Sequence, residues 1–322
     1  MYATKNGNLE VTKLLLAWDN IKVNSKDRHV HSPLSYAAEK GNLEMMKLLL
    51  AWDEIDVNSK ERHGHSPLSY TAKKGNLEVM KLLLAWDDIE VNSKDRHGCS
   101  PLLYAAEKGN LEMTELLLAQ DDIDVNSKDR HGCSPLSWAA GKGNLEVTKL
   151  LLAQGDIEVN SKDKNSHSPL SYAAEKGNLE VTKLLLAQDN IEVNSKDKNG
   201  CSPLSYAVEK GNLEVTKLLL AQDDIEVNSK DRNCRSPLSY AAEKGNLEVT
   251  KILLALDNIK VNSENEACSP LMYAVRHMHL EVIKLLLAQD NIDVNLKDIN
   301  GDSPLNCAVQ YGHLEVVKVL LS

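Results

Sequence analysis

Phenylalanine is absent from these 322 residues, and aromatic side chains total only 4%. That excludes a core built on large rings, so the 42% apolar content rests on Leu, Ala and Val. No apolar run approaches the roughly 18 residues a membrane helix needs. Met1 to Glu10 lacks a basic head followed by an apolar stretch, so no secretory leader is legible there. No Asn stands two residues before Ser or Thr, which excludes N-glycosylation acceptors. The net charge of −10 gives no general pull towards nucleic acid or anionic membranes. A soluble, intracellular chain is expected, cytoplasmic with the nucleus as the alternative.

What is present is regular. All nine prolines share one motif, from Pro33 and Pro67 to Pro270 and Pro304, spaced 34 residues apart except for one interval of 33. Self-similarity at this period decides an architecture. The chain divides into a shortened unit 1–30, full units 31–64, 65–98, 99–132, 133–166, 167–200, 201–234, 235–267 and 268–301, and a shortened unit 302–322. These make one array.

Each unit carries its own helix punctuation. Ser32-Pro33 reads as an N-cap followed by proline at the first helical position, and Lys40-Gly41 closes that helix. Asn42 is expected to cap a second helix, whose core stripe is Leu43, Met46, Leu49 and Leu50. Ile55 and Val57 suggest a short extended arm, with a tight turn at Asp27 to Val30 and at Asp95 to Gly98. One ring per unit, Tyr36, Tyr70, Tyr104 or Trp138 for example, fills a thin two-helix layer. A pair this small buries its apolar face only by stacking on its neighbours.

The wording S-P-L-S-Y-A-A-E-K-G-N-L-E-V, followed by L-L-L and V-N, resembles the ankyrin repeat over essentially the whole chain. The near-identical copies look most like the arrays of filamentous-fungal multidomain ankyrin proteins. The resemblance implies an all-α solenoid of helix–turn–helix units with short β-hairpin fingers, and a concave face formed by the fingers and first helices. It also implies protein–protein interaction rather than catalysis. The family's His after Pro-Leu is Ser35, Ser69 and Leu103 here, which removes the ring that bonds adjacent repeats. A core Val of the second helix is Thr12, Thr114, Thr148, Thr182, Thr216 and Thr250, whose hydroxyls must bond back to their own helix. The V-N asparagine, Asn58, Asn126 and Asn194 among others, is hydroxylated in some members and is read here as a buttress for the finger. Glu264 to Ala267 makes a short finger, and beside it Met278-His279 replaces Gly-Asn. This stretch is expected to be the weakest joint. Leu314, Val316, Val317, Val319 and Leu320 read as an interior face, so further repeats are expected beyond the chain.

Catalytic signatures are missing. Gly141-Lys142-Gly143-Asn144 lacks the spacing of a phosphate loop, and no G-x-S-x-G, H-E-x-x-H or C-x-x-C occurs. No enzyme, cofactor or small-molecule substrate is expected. His29-x-His31, His63-x-His65, His97-x-Cys99 and His131-x-Cys133 offer paired ligands. Neighbouring pairs stand about 10 Å apart by helix stacking, too far for one tetrahedral site, so no metal is expected. The six cysteines are too far apart to bridge and fit a reducing compartment.

Charge is more informative. The candidate partner-binding residues line the finger face: Arg28, His29, His31, Arg62, His63, His65, Arg96, His97, Arg130 and His131, continuing as Lys164, Lys198, Arg232 and Arg235. Asp53, Glu54, Asp56 and their copies make the opposite loops acidic. The expected partner is an acidic protein segment. Nucleic acid is disfavoured because the fingers have no stacking aromatics. Trp18, Trp52 and Trp86 recur at one position and form a candidate aromatic contact strip. The leading expectation is an interaction scaffold. The alternatives are the recognition arm of a larger NTPase or enzyme, and a structural spacer.

Overall fold

A computed structural model describes residues 1–18, 20–262 and 269–322. Each S-P-L segment starts a helix because Ser supplies the cap and Pro the first turn. Ser32 Oγ accepts the Ser35 N–H at 3.1 Å, satisfying a donor that every helix start leaves open. Gly41 closes the helix at φ 65°, a left-handed value without steric cost for glycine. Among the described residues there are twenty helices in stacked helix–turn–helix pairs and no strand, so the class is all-α.

Two compact units divide at Lys164 and Asn165. The first holds α1 (Tyr2–Lys5), α2 (Leu9–Leu16), α3 (Pro33–Lys40), α4 (Leu43–Leu50), α5 (Pro67–Lys74), α6 (Leu77–Leu84), α7 (Pro101–Lys108), α8 (Leu111–Leu118), α9 (Pro135–Lys142) and α10 (Leu145–Leu152). Its odd-numbered helices pack as one row, and its even-numbered helices form a second row against them. The second unit repeats this with α11 (Pro169–Lys176), α12 (Leu179–Leu186), α13 (Pro203–Lys210), α14 (Leu213–Leu220), α15 (Pro237–Lys244), α16 (Leu247–Leu254), α17 (Pro270–Arg276), α18 (Leu280–Leu287), α19 (Pro304–Gln310) and α20 (Leu314–Leu321).

Leu34, Ala37 and Ala38 are fully buried, and the small alanines let adjacent first helices approach closely. In the second helix the buried stripe is Met45, Met46 and Leu49, while Leu43 and Leu50 are half-buried. The stripe is shifted from expectation because α4 is flanked by α2 and α6 as well as by α3, which widens the covered arc. The threonines behave as expected. Thr114, Thr148, Thr182, Thr216 and Thr250 are buried, and each hydroxyl donates to the carbonyl four residues back at 2.8–2.9 Å. Where the family has His, Ser35, Ser69 and Ser137 pair with the cap serine one turn back at 3.0–3.1 Å.

Asparagine behaves differently from expectation. Asn42 does cap α4, accepting the Met45 N–H at 3.0 Å. Asn76, Asn144, Asn212 and Asn246 instead turn back to the preceding repeat, donating to the carbonyls of Ala38, Ala106, Ala174 and Val208 at 2.7–3.0 Å. His279 replaces one of these asparagines and keeps the link, with Nε2 3.0 Å from the Glu243 carbonyl. The short finger at Glu264 to Ala267, and Cys268, lie outside the described residues.

Candidate protein-interaction face

The fingers are closed turns rather than β-hairpins. Asp95 N–H donates to the Cys99 carbonyl at 3.1 Å, and Gly98 N–H donates to the Asp95 carbonyl at 3.0 Å. The Asp95 side chain holds the turn from inside. One carboxylate oxygen accepts the N–H groups of His97 and Cys99 at 2.8 and 2.9 Å, and the other accepts the Tyr104 hydroxyl at 2.6 Å. Asp27, Asp129, Asp197 and Asp231 repeat the arrangement, with Tyr36, Trp138, Tyr206 and Tyr240 as ring donors. The single ring per unit is therefore a polar strut as well as core. Burial works against the Asp27 carboxylate, but the Tyr36 hydroxyl and the N–H groups of His31 and His29 outweigh it and hold Asp27 down to about 2. Burial and that same carboxylate push Tyr36 up to about 12.

Successive tips are joined through the backbone. The N–H groups of Arg62, Arg96, Arg130 and Lys164 donate to the carbonyls of His29, His63, His97 and His131 at 3.1, 2.9, 2.7 and 2.7 Å. Gly98, at φ 77°, permits this close approach, since a Cβ there would lie 2.9 Å from the Arg130 nitrogen. This backbone ladder arranges the tip side chains in a row.

The residues singled out from sequence separate into two groups. Arg28, Arg62, Arg96, Arg130 and Lys164 in the first unit, and Lys198 and Arg232 in the second, are exposed and form no ion pair among the described residues. His29, His63, His97 and His131 are exposed beside them. The finger-leg residues do not join this row. His65 is buried: Nδ1 lies 2.9 Å from Glu61, and Nε2 lies 3.2 Å from both Asp95 and the Tyr104 hydroxyl. Its burial corrects the expectation that it lines the finger face. His31 is half-buried, stacked on Tyr36 at 4.7 Å and within 3.2 Å of the Tyr70 hydroxyl. Arg235 is held by Asp231 at 2.9 Å and Glu243 at 3.3 Å, over the Tyr240 ring. Trp18 is exposed while Trp52 and Trp86 are half-buried, at the ends of α2, α4 and α6 and apart from the tips.

Many other cations are paired locally. Lys13, Lys47, Lys81 and Lys149 pair with Glu10, Glu44, Glu78 and Glu146 one helical turn away at 2.6–2.8 Å. In the second unit, Lys176, Lys210 and Lys244 lie within 3.2–3.9 Å of Glu175 and Glu209. The tip cations of the first unit, by contrast, stand exposed with no carboxylate partner among the described residues.

Among the described residues no group of three or more His, Cys, Asp or Glu side chains is placed to hold a metal ion. Cys99, Cys201, Cys234 and Cys307 form no disulfide. Burial, with the Asp95 and Asp129 carboxylates, pushes the Cys99 thiol up to about 12, which keeps it un-ionised and unreactive. No helix among the described residues is long and apolar enough to cross a membrane.

Sequence reasoning missed the role of two sets of residues, although each recurs in register. One is the finger aspartate described above. The other is the V-N asparagine, which clamps the next repeat rather than its own finger. Asn126 Nδ2 donates to the Asp156 carbonyl at 2.8 Å, and its Oδ1 accepts the Glu158 N–H at 2.9 Å. Asn58, Asn92 and Asn228 do the same one repeat on. Replacing Asn126 with Ala removes two partly solvated bonds, and a local loss of about 1–2 kcal/mol is expected. Faster amide exchange at Glu158, with Glu90 unchanged, is the readout.

The family model for ankyrin repeats in three copies matches residues 1–95, 68–163, 136–231 and 238–322. The chain belongs to the ankyrin-repeat family. No curated protein matches it significantly. Ankyrin repeats are generally protein–protein interaction modules.

Proposed function

We propose that this protein is a non-catalytic scaffold that binds an acidic segment of another protein along the finger-tip row of its first unit. The supporting observation is the segregation of charge. Arg62, Arg96, Arg130 and Lys164 stand exposed and without carboxylate partners on consecutive, hydrogen-bonded fingers, while the lysines of the second helices are paired one turn away. An exposed cation that already has a carboxylate gains little from a second one. An uncompensated row attracts an acidic chain and sets its register. The buried finger aspartates fix the tips, so little ordering cost is left for binding.

The test is a titration with a fluorescent Asp-rich peptide at increasing salt. Binding is expected at about 10 mM salt and should weaken steeply towards about 150 mM, as the screening length falls from about 30 Å to about 8 Å. A Lys-rich peptide should not bind. Equal binding of both peptides, or none of the acidic one, would refute the reading. Tighter capture of single-stranded DNA than of the peptide would move it to nucleic acid.

A further inference from the structure

The fingers of the two units differ at the residue that follows the tip position occupied by Arg28, Arg62, Arg96 and Arg130. The first places His29, His63, His97 and His131 next to its tip cations, whereas the second has Asn165, Asn199 and Asn233, equally exposed. The finger does not need the imidazole for its shape. The N–H groups of Asn199 and Asn233 reach Asp197 and Asp231 at 2.9 Å, as those of His97 and His131 reach Asp95 and Asp129 at 2.8 Å. The Asn199 and His97 carbonyls accept the next finger's N–H at 2.8 and 2.7 Å.

We propose that the first unit's tip row holds its acidic segment in a proton-dependent way, its four exposed histidines adding positive charge to the row as pH falls. The proposal rests on the acidic-segment reading above. Imidazoles change charge across the neutral to mildly acidic range, and asparagines do not. The same fingers carry the carboxylates of Asp27, Glu61, Asp95 and Asp129. Beside them in sequence, and on the next finger, stand the cations Arg28, Arg62, Arg96, Arg130 and Lys164. The first helices add Glu39 and Glu107 together with Lys40, Lys74, Lys108 and Lys142. His29 also accepts from the Arg28 Nε at 3.1 Å while neutral, and its ring lies 6.5 Å from that of His31. A docked acidic segment adds negative charge on the open side, where the protein supplies cations. The complex therefore takes up protons, and affinity rises as pH falls.

An Asp-rich peptide stays ionised from about pH 7.5 to about pH 5.5 and serves as the probe. The wild-type protein should bind it roughly tenfold more tightly at the lower pH. The variant carrying His29→Asn, His63→Asn, His97→Asn and His131→Asn, which copies the second unit's own fingers, should change by less than about twofold over the same range. Unchanged exchange of the Arg96 and Arg130 amides confirms that its fingers are intact. Independently of any variant, calorimetry of the wild type in two buffers of different ionisation heat should show net proton uptake on binding. A flat wild-type profile, no proton uptake, or an equally steep variant overturns the proposal while leaving the acidic-segment reading standing. Absence of peptide binding at every pH overturns both.

Discussion

Replacing Asp95 with Ala is expected to open the finger between Ser93 and Ser100 and to lower local stability by about 3 kcal/mol. The Asp95 side chain is completely buried. It receives two backbone N–H groups, the Tyr104 hydroxyl and the His65 ring from the preceding finger. Truncation leaves three donors facing a void, and each unsatisfied buried donor costs more than the net value of the bond it lost. His65 also loses one of its two carboxylates and keeps only Glu61, so the damage reaches the neighbouring repeat. Repeat arrays do not unfold as one cooperative body, so hydrogen exchange at His97 and Cys99 is a better measure than a global midpoint. A loss of about 3 kcal/mol corresponds to exchange more than about a hundredfold faster. Asp95→Asn keeps an acceptor for the two N–H groups but presents an amide nitrogen to Tyr104, and should fall in between. Wild-type protection in the Ala variant would show that the carboxylate is not what holds the turn.

Reversing Arg62, Arg96 and Arg130 to Glu together is expected to abolish acidic-peptide binding, a loss of at least about a hundredfold, while the helices stay folded. These side chains reach into solvent and form no ion pair among the described residues. Their removal therefore strands no partner, and the backbone N–H groups that join the fingers remain. The informative control reverses Lys47, Lys81 and Lys149 instead. It changes the net charge equally but acts on the outer helices, where each lysine already has a glutamate one turn away. That control should cost a few tenths of a kcal/mol per pair in helix stability and leave binding within about threefold. Equal loss in both variants would mean that the peptide senses overall charge rather than the tip row.

The periodic features were legible from the chain alone. Ser32-Pro33 and Gly41 specify a helix through capping and backbone freedom, which are local effects acting over a few residues, and these starts and stops lie where expected. The threonine hydroxyls bond within their own helix for the same reason. The family followed from ten registered copies of one motif. The exposed Arg and His tips were legible too, because a turn at Asp95 to Gly98 projects the residues at its apex.

What depends on the neighbouring repeat was not legible. Neither Asn76 nor Asn126 reveals from its own surroundings that its amide is satisfied some thirty to forty residues away. Nor does H-x-H reveal that His63 is exposed and His65 buried. That difference arises because Tyr104 and Asp95 of the following repeat close over His65. Sequence by itself thus determined the repeating unit, its helices and the total of its charges, since propensity, capping and composition are properties of adjacent residues. Only the tertiary structure decided which charges remain uncompensated and which polar side chains are buried, because both depend on what the next repeat places against them.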